Sequence, residues 1–341
     1  MKNLTRFTWI VLVNIYLVVI AGSVVRMSGA GMGCPDWPKC FGYLIPPTDA
    51  EEITWGENKT FSEGNIIQKD SALYVATSSF VTNSIYNPKN WEKYTKHDYA
   101  VFNKLHTWTE YFNRLFGALL GFFALILLYF SVKKWKTDKS FTYLTIIQIL
   151  LIGFEAWLGK LTVDSHLDPS VITYHMLGVI VMVWVQLVLL KRIKESENKY
   201  KTASFEKSIY KYLSLLGILL MIAQAVIGSQ VRQQTDLYIE QGISRDILAD
   251  SYTFIFYFHR SFSILLVGIV IFLYLKLHEI YELKKIINWL IVTVVLEVLV
   301  GMFLFYLGMK AWGQPIHLFL SLFMYGFFVA LFLKVKASKN Q

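Results

Sequence analysis

Three histidines, His175, His259 and His317, stand in apolar stretches, where coordinating or ionisable groups are costly and are functional candidates by default. His259 sits in Phe256-Tyr257-Phe258-His259-Arg260. A near copy, Glu110-Tyr111-Phe112-Asn113-Arg114, carries Asn113 in the histidine's place. Glu155-Ala156-Trp157-Leu158-Gly159 recurs as Glu297-Val298-Leu299-Val300-Gly301, and His175 and His317 each follow the glutamate by 20 residues. Gly22-Ser23-Val24-Val25-Arg26 likewise matches Gly228-Ser229-Gln230-Val231-Arg232. The pairs 113/259, 155/297 and 175/317 are separated by 146, 142 and 142 positions, and a near-constant offset over several elements signals duplication.

An isolated membrane histidine is most often a helix-to-helix hydrogen-bonding group; three at repeat-equivalent positions call for more. His259 and His317, on different helices of one half, can face each other across a bundle. That is the arrangement for bis-histidine haem ligation between helices. Arg260 and Arg232 at the outer mouth could pair with haem propionates. A zinc or copper site would want more donors, and the second half offers neither Cys nor a third His at that depth. In the first half Asn113 is a poor iron ligand. His106, Glu110 and Asn113 share one helix face, but His106 lies about 10 Å further out than Asn113. Glu110, whose counterpart is Phe256, is a carboxylate costly to keep ionised at that depth, which suits it to proton transfer. The rival role is an ion pair with Arg114, four residues on. One half reads as a stable cofactor site and the other as a modified site for chemistry. His97, His166 and His278 read as solvated loop residues.

These groups need membrane-spanning helices to hold them. Of 341 residues, 55% are hydrophobic and 17% charged, with a mean hydropathy of +0.45. Eight apolar runs, near 7–27, 106–130, 141–159, 170–190, 209–231, 253–276, 286–309 and 314–335, are long enough to span a bilayer. The predicted fold is an all-α polytopic membrane protein, built as two repeated four-helix bundles. The first half is 1–190 with a long outer loop at 41–105, the second is 209–341, and 191–208 is a basic linker. The aromatics of the outer loop (Trp55, Tyr74, Tyr86, Trp91, Tyr94, Tyr99) suggest a folded cap or an interfacial layer.

Lys and Arg gather on one side, at Lys2, Arg6, Lys133 to Lys139, Lys191 to Lys211 (with Lys201 and Lys207), Lys276 to Lys285 and Lys334 to Lys339. The short loops opposite hold only Lys160, Arg232, Arg245 and Lys310, which predicts cytoplasmic termini. The first run lacks the cleavage site of a signal peptide, and a bacterial plasma membrane is the simplest setting. The net charge of +9 reads as topology and attraction to anionic lipid, with no nucleic-acid role. Cys34 and Cys40, the only cysteines, fall on the outer side, where pairing is permitted. A metal or redox pair competes, but two cysteines are poor ligation and a c-type haem site needs Cys-x-x-Cys-His.

The stretch from Gly22 to Cys40, ending Gly33-Cys34-Pro35-Asp36-Trp37-Pro38-Lys39-Cys40, resembles the signature of haem A synthases. Glu110-Tyr111-Phe112-Asn113-Arg114 resembles that family's Glu-x-x-His-Arg element, and His175, His259 and His317 fall where its other haem-associated histidines lie. The resemblance covers nearly the whole chain outside about 45–100. It implies oxidation of the C8 methyl of haem O to a formyl group through hydroxylated intermediates. It also implies haem b held by His259 and His317, and a substrate site with Glu110 as catalytic group, including His175, Asn113, His106 and Arg114. Arg26, Arg232 and Arg260 are the propionate candidates, and Cys34 and Cys40 form an outer disulfide. The departure is Asn113, which leaves open whether His106 or nothing supplies a second ligand to the substrate iron. A haem O synthase is the expected functional neighbour; the sequence names no electron partner and is compatible with a homo-oligomer. The alternative class is a non-catalytic di-haem electron carrier or a haem-binding oxidase assembly factor.

Overall fold

A computed structural model describes residues 1–96, 101–197, 199, 203–205 and 209–337. His97, Tyr99, Lys201, Lys207 and Lys339 lie outside the described residues. Eight helices are long and apolar enough to cross a membrane: α1 (Lys2–Ser28), α2 (Lys104–Val132), α3 (Ser140–Asp164), α4 (Pro169–Ser196), α5 (Ile209–Glu240), α6 (Phe254–Leu277), α7 (Tyr281–Tyr306) and α8 (Gly313–Lys334). The chain is thus an all-α multi-pass membrane protein. Local chemistry sets the ends that matter. Asn103 caps α2 by accepting from the Leu105 and His106 N–H groups, and Asp168 caps α4 ahead of Pro169, which has no N–H to leave unpaired. α1 ends at Gly29, whose φ of 70° is the left-handed conformation glycine adopts readily.

One boundary differs most from the sequence reading. The apolar run of α5 fades at Val231, yet the helix continues to Glu240. Arg232 and Asp236, four residues apart, are therefore neighbours on a helix that projects past the apolar zone, and they form an ion pair that helps to carry it.

Each half closes into a ring of four helices. α1 packs on α2, α2 on α3, α3 on α4 and α4 back on α1; α5 to α8 repeat the circuit. The halves meet where α1 packs on α8 and α4 on α5, contacts that the duplication exchanges, and where α4 packs on α8. The Gln186 side-chain N–H donates to the Thr8 carbonyl (2.7 Å) to close the first ring, and a Thr173–Ser229 hydroxyl pair (3.0 Å) joins the two rings.

The main apolar core fills only one end of this assembly. Its buried residues begin inward of each special side chain: Leu120 beyond Asn113, Ile180 beyond His175, Leu266 beyond His259, and Leu322 beyond His317. Above that level the first half is covered by the loop and cap, and the second by a separate cluster of Leu248, Tyr252, Phe256, Leu304 and Met309.

The expected cap is a small β structure. β1 (Thr60–Phe61) pairs with β4 (Phe80–Val81), and β2 (Ile66–Lys69), β3 (Ala72–Ala76) and β5 (Trp91–Lys93) form an antiparallel sheet in the order β2-β3-β5. Phe61, Phe80, Tyr86 and Trp91 pack edge to face or stacked on one side. On the other side Phe41, Ile53, Ile66 and Leu73 bury Cys34 and Cys40.

Candidate functional site

The outer ends of α6 and α8 bring His259 and His317 together, with ring centroids 6.4 Å apart and planes at 74°. Two imidazoles bonded through nitrogen to one metal ion, each at about 2 Å, place their centroids roughly this far apart. Nδ1 of each ring is buried and has no hydrogen-bond partner. Residues without bulk make the room. A Cβ added to Gly228 on α5 would meet Cε1 of His259 at 3.2 Å, and one on Gly301 of α7 would meet Cε1 of His317 at 3.6 Å. Gln224, one turn from Gly228, donates to the His259 carbonyl (3.0 Å) and ties α5 to α6 at this level.

The first half repeats the arrangement. A Cβ on Gly22 of α1 would lie 3.6 Å from Asn113 Oδ1, and one on Gly159 of α3 would lie 4.0 Å from the His175 ring. Asn113 Oδ1 is buried and unpartnered. The four glycines stand at repeat-equivalent positions, so the three rings and the Asn113 amide each face one where a larger side chain would crowd it. The sequence displayed these glycines within its repeated motifs, but only packing shows what each one faces.

Glu110 is buried, and the structure joins it to the loop at the end of α1. The Cys34 N–H donates to its Oε2 (3.0 Å), and Arg114 Nη2 donates to Oε1 (2.5 Å). Arg114 also donates through Nη1 to the carbonyls of Asp36 (2.9 Å) and Lys39 (2.7 Å). Cys34 and Cys40 are joined by a disulfide. Thr107 donates to the Gly33 carbonyl (2.7 Å), and the His106 backbone runs so close to Gly33 that an added Cβ would come within 2.6 Å of it. The ion pair with Arg114, weighed as the rival role of Glu110, is therefore formed. Phe256, at the equivalent place in the second half, is instead stacked between Tyr252 and Phe305.

The three arginines have different surroundings. Arg26 and Arg232, equivalent in the duplication, converge on one carboxylate, Asp236, at 3.2 Å and 2.7 Å. Nε and Nη1 of Arg232 remain buried without a partner, free to take an anion. Arg260 is exposed, with its guanidinium over the rings of Tyr257 and Phe305. Asp236 escaped the sequence reading because it lies beyond the apolar run, in what read as loop. His278, read as solvated, closes the far end of α6 with Nδ1 2.9 Å from the Tyr274 carbonyl. Among the described residues no group of three or more His, Cys, Asp or Glu could hold a metal ion, so the His259–His317 pair stands as a two-donor site.

These observations define a class: a duplicated eight-helix membrane protein with a paired-imidazole cradle in one half and a modified copy in the other. The chain belongs to the cytochrome oxidase assembly protein family, whose model matches residues 5–83 and 82–329. Relatives named "Heme A synthase" include one from Shewanella oneidensis, 26% identical over 65% of this chain and 56% of its own length. Another, from Flavobacterium johnsoniae, is 24% identical over 89% of both chains. A third, from Alkalihalophilus pseudofirmus, is 21% identical over 86% of this chain and 80% of its own. The chain thus spans little more than half of the first of these and most of the other two.

Proposed function

We propose that this protein is a haem A synthase, oxidising the C8 methyl of haem O to a formyl group through hydroxylated intermediates. The observation that carries this is the asymmetry of the two cradles: paired histidines in one, and Asn113, His175 and Glu110 in the other. His259 and His317 hold haem b as the prosthetic group; their 6.4 Å ring separation and the glycines facing both rings fit that role. When bound, haem b supplies one-electron redox capacity in the second half.

The first half takes haem O as substrate. His175 would hold the substrate haem from α4, and Asn113, a poor iron ligand, stands where the second half has His259. Asn113 in place of a second histidine also weighs against a di-haem electron carrier, which would want a histidine pair in each half. Arg26 and Arg232 receive propionates at the outer mouth, with Arg260, next to His259 on α6, as a third candidate. Glu110 is the catalytic carboxylate: its Oε1 is held by Arg114 and its Oε2 by the Cys34 N–H, so its position beside the substrate is fixed from the disulfide loop. It holds or moves the proton released as the methyl is oxidised. The substrate half is residues 1–190, the haem b half 209–341, and 191–208 is the linker between them. The setting is a bacterial plasma membrane with both termini cytoplasmic, supported by the lysine-rich inner loops.

Co-expression with a haem O synthase, followed by chromatography of extracted haems, tests the reading. Haem A should appear with this chain and be absent without it. Haem O alone, at normal levels of membrane-inserted protein, would defeat it in favour of a non-catalytic haem-binding factor.

A further inference from the structure

The duplication preserves one more pair of contacts. On α3, Glu155 Oε2 lies 2.6 Å from Nδ1 of His175; on α7, Glu297 Oε1 lies 3.3 Å from Nδ1 of His317. Glu155 is buried, and Glu297 is half-buried with its Oε2 enclosed. Neither contact yet has hydrogen-bond alignment. Both Glu155 oxygens, Glu297 Oε2 and both Nδ1 atoms have no other partner. A buried carboxylate and a buried ring nitrogen, each unsatisfied and within reach of the other, cost free energy until a small ring rotation joins them.

The backbone is shaped to receive these carboxylates. A Cβ on Gly178, one turn beyond His175 on α4, would collide with Glu155 Oε1, so Glu155 lies pressed against the α4 main chain. Gly159 and Gly301 lie one turn from Glu155 and Glu297 and face the same two rings near Cε1, leaving each imidazole between a glycine and an acid. Among the described residues no acid pairs with His259: its Nδ1 is unpartnered and Gly228 of α5 lies against its ring.

We propose that Glu155 and Glu297 are positioning residues that engage Nδ1 of His175 and His317, so that each ring presents Nε2 to haem iron. This rests on the reading that both histidines face haem. A carboxylate accepting from Nδ1–H fixes the tautomer and orientation of a ligating imidazole and raises its basicity. Of the two histidines that would hold the second-half haem, only His317 is then backed by an acid. A more basic ligand favours the ferric state and lowers the midpoint potential.

The test uses full-length protein purified with its resident haem and reads that haem directly. Glu297→Gln keeps the shape but removes the charge, and its haem midpoint potential should move positive with the low-spin spectrum kept. Glu297→Leu should weaken or lose the low-spin spectrum. Glu155→Gln should leave the resident haem's potential unchanged and alter the spectrum of added haem O. Where Glu297→Gln fails to accumulate, Glu297→Asp, with its shorter reach, serves the same comparison by its shifted potential. A wild-type potential and spectrum in the Gln variant, or in Asp where that replaces it, overturns the proposal whatever the other variants do. These readouts need no haem A. If the chain binds haem but makes no haem A, the synthase reading fails alone; if haem A is made and the potential does not move, the positioning role fails alone.

Discussion

Asn113 faces Gly22 across the α1–α2 contact as His259 faces Gly228 across α5–α6, with the glycine's would-be Cβ 3.6 Å from the amide oxygen and 3.2 Å from the imidazole. The cradle is repeated between halves while one of the side chains it faces differs, an amide in place of an imidazole.

Space for an imidazole therefore exists at position 113. Asn113→His should give haem O bound in the first half a second axial ligand, seen as an additional low-spin signal by optical and electron paramagnetic resonance spectroscopy. Haem A formation should persist. An unchanged spectrum in haem O-loaded protein would count against His175 and residue 113 sharing one iron.

Gly228→Val should displace the His259 ring and reduce haem b per protein at least several-fold, approaching the loss caused by His259→Ala. The larger side chain has a ring against it in a region where neighbours yield little. Gly121, on α2, has nothing within 4 Å of its would-be Cβ, and Gly121→Ala should gain about 0.5–1 kcal/mol of helix stability without touching haem content. Pyridine haemochrome assay against protein mass separates the two outcomes.

Glu110→Gln keeps an acceptor for the Cys34 N–H but cannot carry a proton. Haem b content should be retained while haem A falls at least tenfold, leaving haem O or a hydroxylated intermediate among the extracted haems. Arg114→Gln is the control for the ion pair. If loop anchoring were the whole role of Glu110, both variants should impair the protein alike, through lower accumulation.

Asp36 offers a pH test outside the membrane. Burial raises its carboxyl above the usual range, and the Gly42 N–H and the Arg114 charge only partly offset this. The folded loop thus binds the proton more tightly than the unfolded chain. Its contribution to stability is fully present below the ordinary carboxylate pKa and is lost as pH rises through the elevated value. Asp36→Asn retains an acceptor for Gly42 and should flatten this fall in apparent melting temperature with pH. Parallel pH profiles for variant and wild type would refute the assignment.

Much of this arrangement was readable in the chain. The eight helices follow from run length, since a bilayer demands about 20 apolar residues whatever they pack against. The meeting of His259 and His317 followed from the duplication and their equal depth. What stayed hidden depended on side-chain reach. Glu155 and Glu297 stood out as ionisable groups in apolar runs, but twenty residues separate each from its histidine, and only the crossing of α3 with α4 and α7 with α8 joins them. Asp236 was invisible as the link between Arg26 and Arg232, because nothing in hydropathy distinguishes a polar helix end from a polar loop. Glu110 could be placed on the right face of α2, yet its bond to the Cys34 N–H depends on how the loop folds back.

The packed core stops inward of all four special residues, and that has a kinetic meaning. Splaying the outer ends of a ring exposes few of the tightly interlocked side chains, so its free-energy cost falls mainly on the loop, the cap, the Leu248–Tyr252–Phe256 cluster and the few polar ties at that level. A large, flat, rigid molecule can therefore enter or leave from the outer side while the inner end holds the helices in register. Admission and release become local openings on their own timescale, separable from the global unfolding that the core resists.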